Sequence, residues 1–126
     1  MTNRNRLFCR GRLSVVKTVF HVSTPEAAAI AVAKVRNLLA DETLDVDTVA
    51  VLFDAGVAIA TLERGSDVAD DVRGLLDRDV EYKVCSNAVR NPAVDESKLV
   101  AGVETVSSGV GELTRLQTRG YAYIRL

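Results

Sequence analysis

At 126 residues the chain suits one domain and is long enough to bury a single core. With 48% hydrophobic and 26% charged residues it is too apolar for a disordered chain, and a net charge of −1 supplies no large field to draw in nucleic acid or a membrane surface. No stretch reaches the ~20 apolar residues of a membrane span, so no membrane partner is expected.

Residues 1–14 stand apart. They carry Arg4, Arg6, Arg10 and Arg12 without an acid, a balance of +4, while the remainder has 12 basic against 17 acidic side chains, a balance of −5. The stretch is too short and too little amphipathic for a transit peptide, and it has no apolar centre of signal-peptide length. Four arginines suit phosphate contacts, but a segment without apolar anchors is read as a disordered leader, with the domain over 15–126.

The apolar pattern then switches between strand and helix. Lys17–Val22 is a β-branched run that stops at Ser23-Thr24-Pro25. Thr24 suits a helix N-cap, Pro25 the first helical position, and Glu26 the positive helix end. The helix expected over Pro25–Ala40 places Ala28, Ala31, Val32, Val35 and Leu39 on one stripe. Asp47–Phe53 reads as an apolar strand covered on both faces. Asp54-Ala55-Gly56 breaks it, and a short helix is expected over Val57–Leu62. Val68, Val72, Leu75 and Leu76 mark a second long helix ending near Arg78. Val80–Cys85 is a third strand, in which apolar Val80, Tyr82 and Val84 alternate with Glu81, Lys83 and Cys85, a pattern that predicts a half-exposed or near-edge position. Ser86-Asn87 opens a turn or helix ended by Asn91-Pro92, and a short helix or loop follows from about Asp95. After the apolar Val103–Val106, Ser107-Ser108-Gly109 opens a helix carrying Val110, Leu113 and Leu116. Gly120 stops it, and Tyr121–Leu126 closes the chain as a strand. Strands alternating with helices predict right-handed βαβ units, a mostly parallel sheet and a three-layer α/β/α sandwich.

The sequence holds no G-x-x-x-x-G-K-[ST] phosphate loop, no G-x-G-x-x-G after the first strand, no CxxC and no HExxH. A single histidine leaves no zinc cluster of a usual kind, so no metal or other cofactor is expected. Cys9 and Cys85 differ too much in setting to form a disulfide framework, which points to a reducing cytoplasm. Cys85 ends the third strand, where ligands gather in an open parallel sheet, and the next element starts at Ser86-Asn87. A thiol at a helix N-terminus faces unpaired N–H groups and the positive dipole end, both favourable to the nucleophilic thiolate. The competing reading is a buried, inert cysteine. His21 ends the first strand and is either a base for Cys85 or a structural residue. Gly56 and Gly109 either bring backbone close to an anion or serve as turn glycines of unusual φ/ψ.

An ordered set of segments resembles the DsrE/DsrF-like family: KTVFHV, Asn37-Leu38-Leu39, Gly56-Val57, V-x-Y-x-V-C-S-N over Val80–Asn87, V-x-S-G-V-x-E-L over Val106–Leu113, and G-Y-A-Y-I over Gly120–Ile124. The resemblance covers Lys17 to Leu126. It implies a five-stranded parallel sheet, homo-oligomers (trimers or hexamers) and sulfur trafficking through a cysteine that carries persulfide sulfur. That cysteine maps onto Cys85, with Asn87 matching the polar residue that often follows it. Ser107 stands where relatives often have proline, and Asp79 where a glycine commonly precedes the third strand. The function expected is a cytosolic sulfur relay in which Cys85 exchanges sulfur with donor and acceptor proteins. Ser86, Asn87, Ser108, Gly109, Gly56 and His21 surround the exchange. The alternative is a non-enzymatic oligomeric module that binds a small ligand or a partner.

Overall fold

The computed structural model describes residues 14–126; the arginine leader expected over residues 1–14 falls outside them except for Ser14, which is already in a strand. Five strands form one all-parallel sheet: β1 (Ser14–Val22), β2 (Leu44–Phe53), β3 (Glu81–Cys85), β4 (Glu104–Val106) and β5 (Ala122–Arg125), in the spatial order β4-β3-β2-β1-β5. The α/β class and the parallel sheet agree with the pattern of alternating elements.

The helices are α1 (Pro25–Leu39), α2 (Gly56–Ile59), α3 (Ala69–Leu76), α4 (Ser86–Val89) and α5 (Gly109–Thr118), with 3₁₀ turns over Ala60–Leu62 and Glu96–Lys98. The first boundary follows the local chemistry of its residues. Thr24 is extended, its hydroxyl accepts from the Ala27 N–H at 3.2 Å, and Pro25 opens α1. Ser108 does the same for α5 by accepting from Gly111 N–H at 3.0 Å.

The two faces of the sheet are covered unequally. Phe20, Val22, Val49, Val51, Phe53, Tyr82 and Val84 pack with α1, α2 and α3 into the larger core. On the opposite face Val19, Ala50, Leu52 and Val106 pack under Leu113 and Leu116 of α5 alone. One ten-residue helix cannot cover five strands, so β5 lies exposed along its length.

The third strand is near an edge, one of the two positions its alternation predicts, but it is not half-exposed. β3 is second from the edge and buried from Tyr82 to Cys85. Its alternation reflects a buried ion pair rather than exposure. Lys83 Nζ donates to Glu112 Oε2 of α5 at 2.6 Å, with both side chains under a tenth exposed, and Arg115 also bonds Glu112. Burial pushes the Lys83 amine down, but the Glu112 bond and the charges of Glu112, Glu81 and Glu104 outweigh it and raise the amine above its ordinary value. Burial likewise pushes Glu112 up, and Lys83 and Arg115 more than offset it, holding the carboxyl low.

Candidate functional site at the carboxyl edge of the sheet

Parallel pairing brings the strand ends into one row. Val22 is level with Phe53, Phe53 with Val84, Cys85 with Val106, and His21 with Arg125. His21, Cys85 and the residue after β2, Asp54, therefore reach the same edge, on the α5 side.

Cys85 is a free thiol in an extended conformation (φ −72°, ψ 126°) at the start of α4. It is 8% exposed, so the sulfur is packed rather than open to solvent as its strand-end position suggested. The cover is the amino end of α5: a Cβ built on Gly109 would stand 3.6 Å from Cys85 Cβ, 3.4 Å from Leu52 Cδ2 and 3.2 Å from Asp54 Cβ. The helix that begins at Ser86 is four residues long, so few peptide dipoles align behind the thiol. The ten-residue α5, whose first residue is Gly109, is the longer dipole beside it.

The other expected residues have defined structural partners. Ser86 Oγ donates to Ser107 O at 2.9 Å, tying the start of α4 to the β4–α5 turn. Asn87 is exposed and its Oδ1 accepts from Arg90 at 3.4 Å. Ser108 is the α5 cap. At Gly56 the Asn91 side chain packs against the backbone: a Cβ there would fall 2.3 Å from Asn91 Cβ. Neither Gly56 nor Gly109 is among the positive-φ residues, so close approach rather than unusual backbone explains both.

His21 is 7% exposed, and among the described residues no hydrogen bond joins it to Cys85. β2 lies between their strands, which sets the two backbones about 10 Å apart. Its ring is held by other groups. Nε2 is 2.6 Å from Asp54 Oδ2, Nδ1 is 2.6 Å from the Tyr123 hydroxyl, and Arg125 Nη1 stands 3.0 Å from Nδ1 and 3.3 Å from Nε2. Ser23 Oγ donates to Asp54 Oδ1 at 2.6 Å. Partial burial pushes the Asp54 carboxyl up, but the bonds from Ser23 and His21 and the charges of His21 and Arg125 prevail and hold it below the ordinary range. Sequence reading missed Asp54, Ser23, Tyr123 and Arg125 as a group. Their signal was the alternation of Tyr121, Tyr123 and Arg125 on one face of the last strand, informative only once β5 is known to pair with β1.

Two surface cavities, of about 500 and 220 Å³, lie elsewhere. The larger is on the α1 side, lined by Pro25, Ala28, Thr61 and Val68; the smaller is beside Arg73, Leu76 and Val100. Among the described residues no group of acidic, histidine or cysteine side chains is arranged to hold a metal ion, and no helix is long and apolar enough to cross a membrane.

A family model decides what this edge is related to: the DsrE/DsrF-like family model matches residues 17–126. The chain belongs to that family. The protein of unknown function MTH1491 from Methanobacterium thermoautotrophicum is 35% identical, with a TM-score of 0.78 over 88% of this chain and 99% of its own. The ychN protein from E. coli, at 15% identity, shares the fold with a TM-score of 0.61 over 91% of this chain and 100% of its own. No curated protein matches the chain. At the coarse level, membership of this DsrE/DsrF-like family is consistent with a part in sulfur relay.

Proposed function

We propose that the chain is a sulfur carrier in which Cys85 holds sulfane sulfur as a persulfide. The observation that supports this most is the position of a free cysteine at the carboxyl end of β3, against the amino end of α5, in a DsrE/DsrF-like chain. An amino helix end is a favourable neighbour for negative charge on sulfur. In the loading step the Cys85 thiolate attacks the outer sulfur of a donor persulfide. A new S–S bond forms, the donor S–S bond breaks, and the donor leaves as its thiolate. Unloading is the same exchange run onto an acceptor thiolate, and neither step needs a metal or other cofactor. Ser86 and Asn87 follow the thiol directly, and Ser86 anchors the turn that carries it. The setting proposed is a reducing cytoplasm, with a donor and an acceptor protein as partners.

In a Cys9→Ser background, incubation with a sulfane donor is expected to add the mass of one sulfur atom to the chain, and none when Cys85→Ser is added. An unchanged wild-type mass across several donors contradicts the proposal.

The burial of Cys85 favours a second reading, a non-enzymatic binding or interaction module in which the thiol is only packed. The two part on whether donors reach the sulfur in the folded protein. Both accommodate self-assembly into a trimer or hexamer, which we also propose: β5 is an exposed edge strand bearing Tyr123 and Ile124. A light-scattering mass equal to one chain would contradict that assembly.

A further inference from the structure

The larger cavity lies on the face of the sheet opposite Cys85, between the first turn of α1, the 3₁₀ turn after α2 and the residues that lead into α3. Small side chains leave the space. Ala28 and Ala29 of α1, Ala60 of the turn and Val68 before α3 supply its apolar lining. At about 500 Å³ it has the size of a small-molecule site. Its polar side chains share one character. Thr61 Oγ1 donates to Ala58 O at 2.6 Å and Ser66 Oγ donates to Thr61 O at 2.6 Å. Each hydroxyl has thus spent its only proton on the protein and keeps lone pairs alone. Asp67 is exposed, and its carboxylate accepts at both oxygens. Pro25, at the head of α1, has no N–H to offer.

We infer that this cavity binds a small aliphatic ammonium ion, a protonated primary amine on a short apolar chain. An ammonium group carries three donors and no acceptor, the complement of Thr61, Ser66 and Asp67. Its chain has Ala28, Ala60 and Val68 to lie on. The charge of the surroundings agrees. Among the described residues neither Asp67 nor Glu26, in the first turn of α1, is paired with a cation, while the cations of the neighbouring segments are committed elsewhere. Arg64 Nη1 donates to Ser97 O at 3.0 Å, Arg73 pairs with Asp70 at 2.6 Å, and Arg36 pairs with Asp71 at 2.9 Å. Glu26, Asp70 and Asp71 also stand in the first turns of α1 and α3, where they offset the positive helix ends that would otherwise favour an anion. The site is independent of sulfur exchange, because the sheet separates it from Cys85. No residue of β5 lines it, so the proposed assembly edge is not part of it.

Titration of the isotope-labelled full chain with n-pentylamine at neutral pH, followed by amide NMR shifts, tests the site. Pentylammonium is expected to shift the amides of residues 26–29 and 60–68 with a Kd of about 1 mM. Pentanoate, of the same length and opposite charge, should bind at least about tenfold more weakly. Asp67→Asn, at an exposed position, should weaken pentylammonium binding about tenfold. Ala29→Leu, also at an exposed position, fills the cavity without entering the core and should abolish binding. An unchanged amide spectrum away from the cavity verifies that each variant folds. Three results overturn the assignment: no saturable shift in these segments, equal binding of pentanoate and pentylammonium, or an Asp67→Asn affinity within about twofold of the wild type.

Discussion

The two halves of the carboxyl edge use the same row of strand ends in opposite ways. Around β3, β4 and α5 the edge is dry: Cys85 is covered by the α5 start, and the Lys83–Glu112 pair is buried two residues behind it. Around β1 and β5 it is wet, with His21 inside and Tyr123 and Arg125 outside. The difference comes from α5, which reaches over the first half and stops short of the second. A nucleophile under cover is protected from stray oxidants and demands a specific approach.

The largest effect should come from breaking the dry half at its ion pair. Lys83→Met removes one partner of the buried bond while Arg115 still meets Glu112, and is expected to cost about 3 kcal/mol in denaturant unfolding. Adding Glu112→Leu should recover most of it, because a buried pair owes more to mutual compensation than to net attraction. If the single variant were as stable as the wild type, this half would not be dry.

Gly109→Ala sharpens the boundary between the halves. The added methyl must sit 3.2 Å from Asp54 Cβ, 3.4 Å from Leu52 Cδ2 and 3.6 Å from Cys85 Cβ, and about 1–2 kcal/mol of destabilisation is expected from thermal unfolding. An indifferent response would mean that the α5 start is not packed tightly against Asp54 at this edge.

Asp54→Asn tests the wet half through pH. The folded carboxyl titrates below its unfolded value, so its stabilisation is complete above about pH 4 and lost as the pH falls through the lower folded value. The stability gap between wild type and variant should therefore be widest near neutrality and shrink below about pH 4. A gap that stays flat under acid would show that Asp54 carries no special charge stabilisation.

The smallest effect belongs to Asp79, the one non-glycine residue of positive φ (67°) among those described, just before β3. Asp79→Gly should stabilise by up to about 1 kcal/mol without touching either half's chemistry. A loss of stability there would mean that the aspartate side chain contributes more than its backbone costs.

Much of the fold was legible because its signals are local. Thr24-Pro25 and Ser108-Gly109 mark helix starts by hydrogen bonds within three residues, and the β-branched runs mark strands. The near-edge position of β3 was legible, but its burial was misread because Lys83 counts as a surface residue until its partner is known, and Glu112 lies 29 positions away. The site was legible only in part for the same reason. Cys85 announced itself by ending a strand, but its burial depends on Gly109, and the His21 cluster depends on Tyr123, 102 positions away. Of the three apolar residues named for α5, Leu113 and Leu116 are buried and Val110 is 75% exposed.

Whether a donor reaches the covered sulfur is the point on which the sulfur-carrier account stands. Native-state alkylation of Cys85 in a Cys9→Ser background, followed by peptide mass before and after exposure to a sulfane donor, measures it directly. The account predicts that the folded protein is alkylated to completion, and that donor treatment shifts the alkylated peptide by one sulfur. A Cys85 that stays unlabelled until the protein is denatured, and gains no sulfur, contradicts it.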